Sequence, residues 1–459
     1  MSIENDMFKQ LFSDRRFYST MLKLAIPMTI QQFVNSSTNL LDVLMIGQLG
    51  ETAIASLGLS NQIFFLLILF LFGISSGSAI FTAQYWGKGD LGNLRKVMGI
   101  GLTMAITVAL FYTLIALLIP DKILSIYTKD QAVIELGSQY LRIVGVGYIF
   151  TAITLIFMSV LRSTQNVRLP MVITIIALTT NIFLNYCLIF GNFGFPELGV
   201  RGAALGTTIA RIFETFLMII FAYRFRTAAA VKFRELKYSF SFFKKVLRTS
   251  LPAAVNEVFW SLGITTYYAV YARIGTDAVA AVNINSTIEN MTFVIFIGAA
   301  NACAIMIGNE IGAGNENKAF DYGLRFLIIC ITLAMIFGVF VIILRPFILS
   351  LYAIEQISYD YAYKIQLIYA LTMWIRVANL MIFIGILRSG GDTRYALLVE
   401  MGSIWLIGVP SALIGGFVLQ WPVYYVYALV LSEEIVKLMI VFPRFRSRKW
   451  VHNLTSVTA

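Results

Sequence analysis

The chain has 459 residues, of which 59% are hydrophobic and 13% charged, and a mean hydropathy of +0.80, values that exclude an ordinary soluble domain. The reading is an all-α polytopic membrane protein. Its formal charge of +11 comes from short basic clusters between apolar runs rather than from one basic face, which follows the positive-inside rule and excludes nucleic acid as a partner.

The opening residues, MSIENDMFKQLFSDRR, lack the apolar core and small-residue cleavage site of a signal peptide, so the first helix is expected to stay in the mature protein. About twelve stretches then reach the roughly 20 residues that a helix needs to cross a bilayer. They are expected at 17–47, 54–85, 93–119, 134–162, 168–190, 201–224, 243–272, 279–309, 318–344, 360–388, 394–417 and 423–443. The first carries Asp42, and an acid at the centre of a spanning helix costs roughly 2.5–3.5 kcal/mol on insertion scales, so it needs a task or a partner. At about 100° per residue, Gln31, Asn35, Asn39 and Asp42 share one face, a polar stripe that must look away from lipid. In the fifth helix Asn181 and Asn185 stand at i and i+4, again one face.

An even number of spans puts both termini on one side. The connection from Tyr223 to Ser250 is strongly basic, as is the tail Arg444, Arg446, Arg448 and Lys449, so that side is the cytoplasm of a bacterial inner or plasma membrane, with anionic lipid as the natural contact of those charges.

The chain also repeats itself. Pro27 matches Pro252, Gly50 matches Gly275, Gly87 matches Gly312 and Gly89 matches Gly314, each at a separation of 225 (252−27, 275−50, 312−87, 314−89), and Leu161-Arg162-Ser163 matches Leu387-Arg388-Ser389 at 226 (387−161). Two lobes of six helices in the same orientation follow, related by a pseudo-two-fold along the membrane normal. The expected partition is an N-terminal lobe at 1–222, a cytoplasmic linker at 223–250 that runs into the seventh helix, and a C-terminal lobe with the basic tail at 251–459. Two parallel lobes around a cavity are suited to alternating access.

Several of these segments, taken in order, resemble the multidrug and toxic compound extrusion (MATE) transporters. They are Asp42-Val-Leu-Met-Ile-Gly-Gln-Leu-Gly50, Gly87-Lys-Gly-Asp90, the paired Leu-Arg-Ser turns and Gly391-Asp392-Thr393-Arg394, with Asn181-Ile-Phe-Leu-Asn185 and Gly191 similar to the fifth-helix signature of the NorM-like branch. The resemblance implies drug or metabolite export driven by an inward Na⁺ or H⁺ gradient, with Asp42, Asn181 and Asn185 as the coupling-ion or proton site, and the intramembrane acids favour organic cations as the cargo. A carboxylate beside amide oxygens suits a small hard cation or a captured proton; the alternative for the asparagines is hydrogen bonding between helices.

Glu257 matches the family's acid in the second half. Where NorM-like proteins have an aspartate in helix ten this chain has Val377, preceded by Arg376. Glu257 is therefore either a substrate or proton contact or an ion-pair partner of Arg376, and Arg376 is a structural or gating partner rather than an ion ligand. Arg211 with Glu214, and Glu433 with Lys437, are spaced as local helix pairs, and Glu400 is near enough in sequence to Arg394 to pair with it. Glu289 has no basic neighbour in sequence. Cys187, Cys303 and Cys330 read as small core residues.

Enzyme chemistry is not expected. The single histidine, His452, lies in the tail, and there is no GxxxxGK[ST] loop for ATP. No cofactor is expected beyond the coupling ion, and a monomer suffices for the scheme. The alternative function, flipping of a lipid-linked oligosaccharide by a related superfamily, would call for a more cationic cavity than the buried acids suggest.

Overall fold

In a bilayer every backbone N–H and C=O has to find its partner within the protein, and a helix does this along its own length. The computed structural model describes residues 14–456 apart from residue 353 and the side chains of Asn39, Leu40 and Phe233, and all of its regular structure is helical. The opening segment up to residue 13 and the Asn39 member of the polar stripe thus fall outside the described residues.

The long helices are α1 (Arg15–Gly47), α2 (Glu51–Lys88), α3 (Leu91–Leu118), α4 (Gln131–Ser163), α5 (Arg168–Phe190), α6 (Val200–Arg224), α7 (Phe240–Ile274), α8 (Thr276–Gly312), α9 (Glu316–Ser350), α10 (Gln356–Leu387), α11 (Thr393–Val418) and α12, which runs Val423–Val430 and resumes as Ser432–Arg446. Among the described residues, nine of them are long and apolar enough by themselves to span a membrane: α2 to α6 and α8 to α11. The chain is an all-α polytopic membrane protein. Polar residues dilute α1 and α7, and a break at Leu431 divides α12.

Turn chemistry sets the helix ends. Gly89 closes α2 at φ 77°, a left-handed angle that a side chain would resist, and Asp90 then caps α3 by accepting from the Asn93 backbone N–H at 3.0 Å. At the end of α10 the backbone widens to i→i+5 bonding over Met381–Leu387, with the Arg388 N–H donating to the Phe383 carbonyl at 3.1 Å.

Two compact units result: Ile30–Ala254, and Met1–Thr29 with Val255–Ala459. Both boundaries fall within helices, α1 and α7, just past Pro27 and Pro252, and at positions 225 apart (254−29). In the Ile30–Ala254 unit, a Cβ added at Gly73 of α2 would strike the Ala254 backbone, and at Gly77 it would strike Ser250. In the other unit, Gly298 of α8 meets Thr29 and Ala25 in the same way. Gly73 and Gly298 are themselves 225 apart (298−73), so both halves use a glycine at the same repeat position for the same close approach.

The basic connection is anchored on the Ile30–Ala254 unit. Glu235 pairs with Arg95 of α3 at 2.5 Å, and the Tyr238 hydroxyl donates to Thr103 at 2.8 Å. The tail is anchored on the other unit: Trp450 is fully buried, the His452 N–H donates to the Gly390 carbonyl at 2.9 Å, and Arg444 donates to Asp392 at 2.8 Å. Burial works to raise the Asp392 carboxyl, but hydrogen bonds from His452 and Arg444 outweigh it and hold the group below the ordinary carboxylate range.

Candidate ion and substrate site

In the Ile30–Ala254 unit, α1 brings Asp42 beside α5, where the Asn185 amide donates to its Oδ1 at 2.8 Å. Gly206 of α6 makes this possible: a Cβ there would collide with the Asn185 carboxamide oxygen. That oxygen is buried and, among the described residues, has no hydrogen-bond partner. Asn181, one turn earlier on α5, donates instead to the Thr207 hydroxyl at 3.3 Å.

Two cavities meet at Asp42. The larger, about 410 Å³, is lined by Phe64, Phe65, Tyr140 and Tyr148 among others, with Asp42, Asn61, Asn185, Thr207 and Arg211 as polar groups. The smaller, about 30 Å³, is lined by Asn35, Thr38, Asp42, Asn181, Thr207, Arg211 and Glu214. Asp42, Thr207 and Arg211 are common to both. Asp42 and Asn185 are therefore joined directly, whereas Asn181 faces the small cavity only.

The polar stripe divides along its length. Asn35 lines the small cavity, while Gln31 is buried in a separate chain of hydrogen bonds. The Gln31 amide donates to Thr174 at 2.7 Å and its carbonyl accepts from Arg162 at 2.6 Å; Thr174 donates to Glu214 at 3.0 Å, and Glu214 pairs with Arg211 at 2.9 Å. Sequence reasoning found the Arg211–Glu214 pair as a local one but missed that Arg211 borders the Asp42 cavities, and it missed Thr207, Gly206, Tyr140 and Tyr148. The sign available was spacing: Thr207, Arg211 and Glu214 lie on one face of α6 at i, i+4 and i+7.

The second unit corrects two expected pairings. Glu257 meets Arg388 at 2.8 Å, not Arg376, whose partner is Glu289. Arg388 lies 12 residues beyond Arg376 (388−376), about 18 Å along a helix, at the Leu-Arg-Ser turn where α10 ends. Glu400, expected near Arg394, accepts from Asn256 at 2.5 Å and lies 3.9 Å from Arg388. Arg376 also stands over the rings of Phe293 and Tyr369. Val377 is buried. The α12 pair is as spaced: Lys437 meets Glu433 at 3.3 Å and Glu434 at 3.0 Å, and Tyr267 donates to Glu433 at 2.5 Å.

The repeat sharpens the contrast between the units. At a separation of 226, Arg162 and Thr174 correspond to Arg388 and Glu400 (388−162, 400−174), and at 225 Gln31 corresponds to Asn256 (256−31), so both units build one buried polar cluster on the same positions. Asp42 corresponds to Tyr267 (267−42) and Thr207 to Glu433 (433−207). The acid that opens onto two cavities in one unit is thus replaced in the other by a hydroxyl bonded to a lysine-paired glutamate. The three cysteines are buried and free.

The MatE family model matches residues 27–187 and 252–414, well over half of the chain. The chain belongs to the MatE family. As a MatE protein it is a multi-pass secondary transporter working by alternating access, and not an enzyme. Among its relatives are the probable multidrug resistance protein NorM of Thermotoga maritima, 24% identical and aligned over 94% of this chain and 92% of its own, and the probable multidrug resistance protein YoeA of Bacillus subtilis, 28% identical over 86% of each. The fold is that of a MOP superfamily transporter from Pyrococcus furiosus, described as having a binding pocket of reverse polarity, at a TM-score of 0.84, 19% identity and coverage of 94% of this chain and 95% of that one.

Proposed function

We propose that the protein exports lipophilic organic cations in exchange for Na⁺ or H⁺, as a NorM-like MatE exporter of a bacterial plasma membrane with both termini in the cytoplasm. The observation that carries this reading is the position of Asp42 on the wall between two cavities of very different size. The larger is of the size and aromatic character that takes a small organic molecule, and ring faces attract a cation. The smaller has room for one water or one bare ion, with carboxylate and amide side chains around it. An ion or proton loaded on Asp42 from one side removes the charge that holds a cationic cargo on the other. Antiport needs such exclusion, since a ligand shifts an equilibrium only through its differential affinity.

Asp42, Asn181 and Asn185 are the coupling site in this scheme, with Asn35 and Thr207 as further oxygens on the small cavity. Glu257, occupied by Arg388, and Arg376, occupied by Glu289, hold the second unit together rather than binding cargo. The residues lining both cavities all belong to one unit of one chain, so a monomer is sufficient. The oligosaccharide-flippase alternative is less well supported, because the groups around the site comprise two carboxylates against one guanidinium and offer no cationic cradle for a pyrophosphate.

The test is ethidium efflux from proteoliposomes under an imposed pH or Na⁺ gradient, each applied alone. Asp42→Asn should reduce gradient-driven efflux to the protein-free rate under both, and efflux that survives the substitution sinks the assignment.

A further inference from the structure

Arg211 poses a problem for a cation site. Its side chain is 29% exposed and borders both cavities alongside Asp42, so a guanidinium stands where a cationic cargo has to be attracted. If it paired with Asp42 it would take the place of the cargo. In the structure it does not: its Nη1 donates to Glu214 at 2.9 Å, and among the described residues no cationic side chain forms an ion pair with Asp42.

Glu214 is well placed to hold it there. Only 1% of Glu214 is exposed, and each of its oxygens has a separate donor. Oε2 takes Arg211, and Oε1 takes the Thr174 hydroxyl at 3.0 Å. Thr174 is fixed in turn by the Gln31 amide, and Gln31 by Arg162. The glutamate is thereby oriented from behind by a chain reaching from α4 through α1 to α5, and it presents its remaining oxygen to Arg211. A buried acid and a partly exposed base i, i+3 apart on α6 would be paired for helix stability alone, but that leaves unexplained why the acid is braced by three further helices while the base opens onto the cavities.

We infer that Glu214 is a positioning residue for cation selectivity: it occupies Arg211 and keeps Asp42 available to a positively charged cargo. This rests on the cation-export reading above. Asp42 touches the cargo; Glu214 acts through Arg211. The other polar groups around Asp42, Asn185, Tyr140, Asn61 and Thr207, are uncharged, so Arg211 is the group that decides the net charge felt in the larger cavity.

Ethidium binding to purified protein in nanodiscs, followed by fluorescence together with thermal unfolding, tests the inference. Glu214→Gln frees the guanidinium and should weaken ethidium binding at least tenfold. Glu214→Gln with Arg211→Gln removes the competitor and should return the affinity to within about threefold of the parent. Glu214→Gln with Arg211→Lys keeps a free positive charge and should stay weak, whereas relief of a packing fault would rescue both doubles alike. Parent-like binding by Glu214→Gln, or no recovery in the Gln/Gln double, overturns the inference. Should Glu214→Gln not fold, Arg211→Gln alone decides: binding no weaker than the parent supports the inference, and a tenfold loss overturns it. Asp42→Asn is run beside them. If it binds ethidium as the parent does, the cation-export reading falls and takes this inference with it; if it abolishes binding, any failure of the Glu214 series belongs to the inference alone.

Discussion

At the scale of single residues, Asp42 depends on groups remote from it in sequence. Asn185 donates to it, and Gly206 leaves the space in which the Asn185 carboxamide sits. Adding one methyl at Gly206 forces that amide to move or strains α6, at a cost of about 1–3 kcal/mol. Gly206→Ala should therefore lower ethidium efflux several-fold in the proteoliposome assay while α6 still folds, and unchanged efflux would show that the Asn185 contact is dispensable. Asp42 and both asparagines were legible as candidates because ionisable and amide side chains are expensive in lipid wherever they occur. Gly206 was not legible, since a missing side chain leaves no chemical trace, and its importance comes only from what approaches it. Glu257 was legible as an intramembrane acid, but its partner was not: Arg376 and Arg388 are equally plausible in one dimension, and the end of α10 settles on Arg388.

At the scale of elements, the repeat predicts paired contacts. Gly73 and Gly298 let α7 and α1 approach α2 and α8 within one unit each, so Gly73→Ala and Gly298→Ala should both destabilise the protein by about 1–3 kcal/mol. Gly58 of α2 is exposed with open space around it, and Gly58→Ala should be neutral or stabilise by about 0.5–1 kcal/mol. Thermal unfolding in detergent separates the three, and equal effects at all of them would refute the close-approach argument. The tail makes a pH prediction. Because the folded Asp392 carboxyl lies below its unfolded value of roughly 3.9, its contribution is complete above that pH and is lost as pH falls through the lower folded value. Hydrogen exchange in residues 447–456 should accordingly be slow and flat from neutral pH down to about 4 and then quicken after correction for intrinsic rates. Asp392→Asn should raise it about tenfold at neutral pH, a loss of about 1–2 kcal/mol of charge-assisted hydrogen bonding.

At the scale of the whole molecule, the prediction concerns orientation. The basic connection and tail should both be reached by a membrane-impermeant thiol reagent from the cytoplasmic side only, tested with single cysteines at Ser239 and Ser447; labelling of either from outside would reverse the assigned topology. The fold class, the succession of spans, the 225-residue repeat and the presence of Asp42 on the opening helix were determined by sequence alone, because hydropathy and its period are local properties and lipid punishes departures from them. Tertiary structure decided which acids share a cavity, that Arg211 stands beside Asp42 yet pairs with Glu214, that Glu257 takes Arg388, and that the unit boundaries run through α1 and α7. Those outcomes depend on where helices cross and how closely their backbones approach, and a cavity is the space such crossings leave. No local pattern encodes that space.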